Sequence, residues 1–418
     1  MFARLAILGF LFAFSGSPQM RPPVALRGAS GDLDAQIAAA AKVLSARPED
    51  SRAACRLAVA YLRKMRETVE FDYLERAARL VDDVLSRDPG YYEALRLRTE
   101  IAMERHEFAL VAEYSAEMTR FAPNDPGAWG SLGDAAMELG DYGRAKNAYE
   151  KMVALKPALP SFSRIAWLRF ITGDAPGAIA LMQSATRSGG GNPQDLAWCL
   201  SDLGSLYWKT GNGIEAEASY RRALEILPTY YAAWAGLGRM ASARNQVKEA
   251  IAAYTKAQAN VPMPEYAAAL EDLYTRAGNA KAAREQVALL QASEITLRAT
   301  GEKANRTLAL VYADAGRELE RARELVENEI HARPDVYTWD AYSWVLFRQK
   351  ELDKAWNAAQ KALAVHTPEP AFHFHAGMIA DAKGLNEDAR RELQAALALN
   401  SQWDYVQAEQ ARATLAKR

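Results

Sequence analysis

Two short histidine-containing motifs come closest to a metal site in this sequence, and their spacing argues against one. His106 and Glu107 begin like the zinc-binding helix of a protease, but Leu110 occupies the place of the second histidine. His373 and His375 are two residues apart, so on a helix their side chains point away from each other and do not share an ion. We therefore predict no metal site.

Other residues that could act on a substrate also lack the neighbours they would need. The glycines at 189–191 follow no strand and precede no Lys-Ser or Lys-Thr pair, so they do not form a phosphate-binding loop. Ser131 and Ser205 occupy helical positions, outside any G-x-S-x-G turn and without a histidine at a suitable spacing. We predict that the chain is not an enzyme and needs no cofactor.

The elements that carry these residues are short helices in a unit that recurs about every 33 to 39 residues. In the clearest copy, residues 126–159, apolar residues follow one helical face until Gly140, and Asp141 can cap a second helix. Gly133 and Ala145 are small residues placed where the two helices cross, which lets the helix axes come close together. The unit is therefore predicted to be a helical hairpin.

Residues of the same types recur at matching positions through most of the chain. The second-helix alanine alone marks eight units, at Ala145, Ala178, Ala216, Ala250, Ala283, Ala322, Ala355 and Ala389. Together with Trp129, Gly133 and Tyr149 of the clearest copy, this pattern resembles the tetratricopeptide repeat superfamily. The resemblance implies an all-α fold, a right-handed superhelical solenoid of helix-turn-helix repeats.

Two interruptions divide the repeats, which extend over residues 33–403. Residues 188–194 and 299–305 lengthen the spacing between units, and each is either a tolerated surface loop or a hinge. A final helix over 404–418 is predicted to shield the last apolar face. The three repeat blocks are then residues 33–188, 193–298 and 302–403.

The N-terminal residues are typical of a secretory signal. Arg4 precedes an apolar run over residues 5–14, and small residues follow. The run is about half the roughly 20 residues of a membrane-spanning helix, and no cysteine follows it for lipid attachment. We predict a signal peptide over 1–17 and a flexible leader over 18–32. The chain is then exported to the periplasm or the extracellular space, without a lipid anchor or a membrane span after cleavage.

Charge and cysteine content exclude further classes of protein. Lys and Arg total 51 against 52 for Asp and Glu, without a basic stripe, so we predict no binding to nucleic acid. Cys55 and Cys199 lie in apolar helical stretches and are predicted to be buried small residues. A disulfide is not expected, because repeats that contact only their neighbours keep such distant residues apart.

The resemblance also implies where a partner would bind. Ligands of tetratricopeptide repeat proteins lie on the concave face formed by the first helix of each hairpin, and this chain places many aromatic residues there. These aromatics either pack against the adjacent hairpins or anchor an extended partner. The predicted partner-binding residues are Trp167, Phe170, Trp198, Trp208, Arg239, Asp272, Arg306, Trp344, Phe347 and Arg348.

The predicted function is an exported, non-catalytic protein-interaction scaffold whose partner is a protein or peptide. The asparagine and lysine residues that family members use to clamp a C-terminal carboxylate are not reproduced, so an adaptor for chaperone tails is not expected. The alternative is a glycan-associated module in envelope polymer assembly, with the aromatic residues stacking on sugar faces.

Overall fold

The structure is a computed structural model that describes residues 30–68, 70–189, 192–299 and 304–417. Within these ranges the chain forms 22 α-helices and no strand, which confirms the predicted all-α fold. The predicted signal peptide over 1–17, most of the leader and the centres of both interruptions lie outside the described residues. Contacts divide the chain into two compact units, unit 1 up to Lys156 and unit 2 from Pro157 onward.

Unit 1 consists of a leading helix and three helical hairpins. The leading helix begins at Ser30, inside the predicted leader, and packs on the first hairpin. Apolar residues of each hairpin are buried between its helices and against its neighbours, as expected of a repeat that cannot bury its apolar face alone. The helices are α1 (Ser30–Ala46), α2 (Ser51–Thr68), α3 (Asp72–Arg87), α4 (Tyr92–Glu104), α5 (Phe108–Phe121), α6 (Pro126–Glu138) and α7 (Tyr142–Leu155).

Unit 2 consists of seven helical hairpins and a final single helix. The final helix buries Ala408 and Ala411 in an apolar cluster with Phe374 and Trp403, which is how a capping helix packs. The helices are α8 (Leu159–Ile171), α9 (Ala175–Ser188), α10 (Pro193–Lys209), α11 (Gly213–Ile226), α12 (Tyr231–Ala243), α13 (Val247–Asn260), α14 (Pro264–Arg276), α15 (Ala280–Ala299), α16 (Arg306–Ala315), α17 (Leu319–Ala332), α18 (Val336–Arg348), α19 (Leu352–Leu363), α20 (Pro370–Ala382), α21 (Asn386–Leu399) and α22 (Tyr405–Ala416).

The α6–α7 hairpin shows why the repeat folds as it does. Gly140 has a φ of 72°, in the left-handed region that ends a helix. The Asp141 carboxylate accepts the backbone N–H of Arg144 at 3.0 Å and caps α7. The ring of Tyr149 lies over Gly133, where a Cβ atom would come within 2.5 Å of Tyr149 Cδ1. The predicted turn, cap and close helix crossing are confirmed.

The same contact recurs in unit 2, which keeps the hairpins alike. Gly204 lies against the ring of Tyr220, and Gly238 lies against the ring of Tyr254. Of the eight second-helix alanines, seven have no exposed surface and Ala283 is 8% exposed. The small residues therefore hold the crossing positions that the pattern assigned to them.

Cys55 and Cys199 are both buried, as predicted. No helix in the described part of the chain is long and apolar enough to cross a membrane.

The boundary between the compact units lies at Lys156, inside the first predicted block (33–188). Neither interruption, at 188–194 or at 299–305, coincides with that boundary. The three-block organisation and the choice between hinges and surface loops stay predictions.

Candidate binding site on the inner face of unit 2

Most first helices of successive hairpins in unit 2 pack on one another, and together they form its inner face. α10 contacts α12, α14 contacts α16, and the series continues through α18, α20 and α22. No comparable contact joins consecutive second helices within the described ranges of unit 2. Because the more crowded side of a curved array is its concave side, the surface of the first helices is the inner face.

The inner face is bounded by contacts between hairpins that are far apart in sequence. Thr367 Oγ1 donates a hydrogen bond to the Ile171 carbonyl (2.7 Å), and Asn400 Nδ2 donates one to the Trp208 carbonyl (2.7 Å). The two acceptors lie at the ends of α8 and α10, and the two donors precede α20 and α22, six hairpins further along the chain. Unit 2 therefore returns on itself, and we call these contacts, together with Lys209 and its partner Glu369, the seam.

Lys209 lies within the seam among aromatic rings. Its ammonium group pairs with Glu369, and the two side chains are only 14% and 13% exposed. The same nitrogen lies 5.3 Å from the ring centre of Tyr337, 5.5 Å from that of Phe170 and 5.7 Å from that of Trp167. Cations partly removed from water are stabilised by such ring faces. Trp167 and Phe170, two of the predicted partner-binding residues, are thus engaged within the chain.

Trp344 is enclosed by stacked neighbours. Its ring centre lies 4.2 Å from that of His375 and 4.9 Å from that of Phe347, in both cases with nearly parallel planes. Its Nε1 donates to Asp314 Oδ1 at 2.8 Å, and the residue is 5% exposed. The indole is therefore almost completely covered.

His375 is buried beside several carboxylates. Its Nδ1 lies 2.9 Å from Asp340 Oδ1, and its Nε2 has no hydrogen-bond partner in the described part of the chain. Burial opposes the charged imidazolium most strongly, but the charge of Asp340, its hydrogen bond to the ring and the charges of Asp314 and Glu369 together outweigh burial. The pKa of His375 is therefore raised above its usual value.

His373 and His375 do not converge on one site. His373 Nδ1 lies 2.7 Å from Glu392 on α21, whereas His375 contacts Asp340 on α18. Among the described residues, no group of three or more His, Cys, Asp and Glu side chains could hold a metal ion.

Arg239 lies on α12, one of the first helices that form the inner face. Its side chain is exposed, yet burial is the largest single influence on its pKa, because protein surrounds it at short range. Burial lowers this pKa, but Tyr254, Tyr220 and Tyr266 help to outweigh it, so the pKa of Arg239 is raised. Asp314 on α16 combines exposed surface and a burial-dominated pKa in the same way. We call the part of the inner face around Arg239 and Asp314 the hollow.

Within the described ranges, four carboxyl groups around the hollow form no direct ion pair, although a cation lies near enough to each of them to lower its pKa slightly. Burial raises the pKa of Asp202 and the pKa of Glu265 to about 7, and it also raises the pKa of Asp314 and of Asp404. Asp202 accepts a hydrogen bond from Trp167 Nε1 (3.0 Å), and Glu265 Oε2 is buried without a partner. In the described structure none of these four groups forms an ion pair. The hollow therefore carries an excess of unpaired carboxyl groups.

The ten residues predicted to bind a partner differ widely in accessibility. Those buried or half-buried are Trp167, Phe170, Trp198, Trp208, Arg306, Trp344, Phe347 and Arg348, and those exposed are Arg239 and Asp272. Arg306 has a structural partner, because it forms a buried ion pair with Asp335 at 2.7 Å. Asp272 pairs with Arg276 on its own helix. The binding role of the ten residues stays a prediction, and Arg239 is the member that the hollow makes accessible.

The sequence pattern missed most of the groups that shape this site. Thr367, Glu369 and Asn400 lie between hairpins, where the repeat pattern assigns no role. Asp202 could have been found, because it lies four residues after Trp198 and so shares its helical face.

Comparison with known proteins agrees with the helical-hairpin architecture. Two segments, residues 126–159 and 207–273, match tetratricopeptide repeat families. The first segment begins with α6 and contains all of α7. The chain is thus a repeat protein built from helical hairpins. These two segments are tetratricopeptide repeats.

Three solved structures are among those to which the chain is similar. PilW, a widely conserved type IV pilus biogenesis factor, is 20% identical, with 58% of this chain and 92% of that chain covered and a TM-score of 0.34. TTC0263, a tetratricopeptide repeat protein of Thermus thermophilus, is 19% identical, covering 44% and 94%, with a TM-score of 0.38. The APC/C hetero-tetramer Cut9-Hcn1 is 15% identical, covering 92% and 93%, with a TM-score of 0.34. Among curated proteins no relative matches the sequence. At these identities and TM-scores, the likenesses carry no argument about function.

Proposed function

We propose that the chain is an exported, non-catalytic scaffold that binds a positively charged, extended segment of a protein partner in the hollow of unit 2. The observation that carries this proposal is the excess of unpaired carboxyl groups at Asp202, Glu265, Asp314 and Asp404. A carboxylate that is partly removed from water interacts more strongly with a cation than one in bulk solvent. Lysine and arginine side chains of a partner would supply such cations.

The distribution of these carboxyl groups favours an extended ligand over a single ion. They lie on α10, α14 and α16 and at the start of α22, so they are spread over several hairpins of the array. A segment with basic residues at intervals could approach several of them at once. Tetratricopeptide repeats are protein-interaction modules, which agrees with a protein segment as the ligand.

The proposal includes a linkage between binding and pH. A cation beside Asp202 or Glu265 favours the ionised carboxylate and lowers a pKa that stands at about 7 in the free chain. Binding should therefore release protons near neutral pH. We expect the affinity for a basic segment to rise from about pH 6 to about pH 8.

A glycan ligand has less support at this site. Sugar stacking requires an open aromatic face, and Trp344 is covered by Phe347 and His375. Trp208 is only 4% exposed. If the parent chain binds a glycan, and Trp344→Ala loses that binding while keeping its helix content, the glycan alternative would be supported.

The binding proposal can be tested with a defined probe, an octa-lysine peptide, titrated into the purified chain at about pH 8, where the carboxyl groups are ionised. The variant Asp202→Asn, Glu265→Gln, Asp314→Asn removes three charges from the hollow. We expect it to weaken binding about tenfold or more.

The matched control removes three charges from the outside of the same unit. Glu225, Glu249 and Glu285 are exposed on the second helices α11, α13 and α15, and all three are replaced by glutamine. This variant should bind the peptide almost as well as the parent chain. Equal weakening by both variants would mean that the peptide senses only net charge, and the proposed site would be wrong.

Export needs a separate test, because it rests on residues 1–17. Cells that produce the full chain and cells that produce a chain without these residues are fractionated, and both chains are detected by immunoblot. We expect the full chain outside the cytoplasm and the shortened chain inside it. The same location for both would contradict export by this segment.

A further inference from the structure

We propose that the seam is a clasp, which opens as a unit while the hairpins stay folded and so admits a partner segment to the hollow. The role of the clasp in admitting a partner rests on the proposed function. The opening of the seam is independent of that function, because its contacts can be perturbed and observed without any partner.

The contacts of the seam differ in kind from those between neighbouring hairpins. Thr367 and Asn400 donate to the carbonyls of Ile171 and Trp208, in the last turns of α8 and α10, and the Trp208 carbonyl also accepts the backbone N–H of Gly211 (3.1 Å). Water can take over such carbonyls when the seam opens. Neighbouring hairpins share buried apolar surface, which water cannot replace at low cost. The seam is therefore the part of unit 2 that can open with the least loss of stability.

The backbones on the two sides of the seam also approach closely. A Cβ atom on Gly211 would lie 2.8 Å from the Leu399 carbonyl oxygen, and one on Gly173 would lie 3.2 Å from the His366 carbonyl oxygen. At Gly278, in the corresponding turn of another hairpin, a Cβ atom would meet nothing within 4 Å. The close approach thus belongs to the seam and is not a general property of these turns.

The side chains held in the seam explain why opening would matter for binding. When the seam is closed, the ammonium group of Lys209 lies near the rings of Trp167 and Phe170 and forms an ion pair with Glu369. With the seam intact, a chain segment cannot enter the hollow from this side. With the seam open, the inner surface of α8 and α10 becomes continuous with the hollow.

One substitution can weaken the seam without disturbing the fold of its turn. Asparagine adopts a positive φ in the corresponding turn of the α12–α13 hairpin, where Asn245 has a φ of 57°. Gly211→Asn should therefore keep the turn, whose φ is 78°, while its side chain pushes the Leu399 carbonyl away. Gly278→Asn, at a φ of 73° and in open space, is the matched control.

A second variant pair removes hydrogen bonds and adds no bulk. Thr367→Val deletes the donor to the Ile171 carbonyl across the seam. Thr172→Val deletes a donor to the Leu168 carbonyl within the same helical end. Only the first of the two should loosen the seam.

Hydrogen exchange measured by mass spectrometry reports opening directly. In Gly211→Asn and in Thr367→Val, we expect amides at both sides of the seam, near residues 206–213 and 365–370, to exchange about tenfold faster than in the parent chain. Amides in the core of α12 and α13 should be unaffected. Exchange that rises equally in the core would mean global unfolding, and no change at the seam would mean that it is not a clasp; either result overturns the proposal.

Access to the hollow is measured with a thiol at its wall. Arg239→Cys is labelled with N-ethylmaleimide and with a bulky poly(ethylene glycol) maleimide, and the chain without this substitution gives the background of the buried native cysteines. We expect Gly211→Asn to speed the bulky reagent about tenfold relative to the small one, and Gly278→Asn to leave the ratio unchanged.

Equal access of the bulky reagent with and without the seam substitution would overturn the role of the clasp as a gate. Because no partner is used, these results are independent of the octa-lysine titration. A failed titration with a working clasp would refute the proposed ligand alone.

Discussion

Replacing Gly133 by alanine tests the packing on which every hairpin depends. The new Cβ atom would lie 2.5 Å from Tyr149 Cδ1 and 2.9 Å from Tyr149 Cζ, about 1 Å closer than a comfortable carbon–carbon contact. The ring has no exposed surface and its hydroxyl donates to Asp134 at 2.8 Å, so it cannot swing into solvent. Overpacking of this kind costs about 1–3 kcal/mol, and the better helix propensity of alanine returns about 1 kcal/mol. We expect a net loss of about 1–2 kcal/mol.

The assay is urea unfolding of the full chain, followed by hydrogen exchange over residues 126–155, so that the loss is assigned to this hairpin. Gly143→Ala in the same hairpin is the control, because Gly143 is exposed and its Cβ would meet only Asp141 Oδ1 at 3.8 Å. That variant should be as stable as the parent or gain up to about 1 kcal/mol. If Gly133→Ala proves as stable as Gly143→Ala, the helix crossing has been assigned wrongly.

Two further predictions concern ionisable groups in unit 2. The pKa of Asp202 is raised from 3.8 to about 7 in the folded chain, so the folded chain loses stability as the pH rises from about 4 to about 7. Asp202→Asn keeps a hydrogen-bond acceptor for Trp167 but cannot ionise, so it should remove this loss. Its melting temperature should exceed that of the parent more at about pH 8 than at about pH 4, and a constant difference would refute the assignment. Arg306→Met should cost about 3–5 kcal/mol in urea unfolding, because Asp335 would stay buried without its ion-pair partner. The exposed Arg412→Met should cost at most about 1 kcal/mol, and similar losses in both would contradict the buried pair.

The hairpins could be predicted from sequence because their determinants are local. Gly140, Asp141 and the Gly133–Tyr149 contact lie within one copy of the repeat, so residue type and spacing alone specify the turn, the cap and the crossing. The start of the first helix was less well predicted. Ser30 lies in a stretch rich in small residues, where helix and leader have similar composition.

The arrangement of the inner face could not be predicted in the same way. The contact of Thr367 with Ile171 joins residues 196 positions apart and depends on small rotations that accumulate over six hairpins. No repeat pattern specifies that sum. The repeat pattern predicts that Trp344 lies on the first-helix face, but its enclosure depends on His375, which comes from another hairpin, and on Phe347. The pattern therefore gives the face of a residue but not its accessibility.

The contact of Tyr220 with two glycines has a consequence for the curvature of the array. Gly204, in the same hairpin, lies against one part of the ring, and a Cβ on Gly236, in the next hairpin, would come within 2.7 Å of Tyr220 Cε2. One aromatic ring thus packs tightly against helices of two successive hairpins, with no room for a methyl group on either glycine. A single methyl group at position 236 would change the angle at this joint, and the change would be carried to every later hairpin of unit 2. The width of the hollow is then a quantity that substitution can tune one joint at a time.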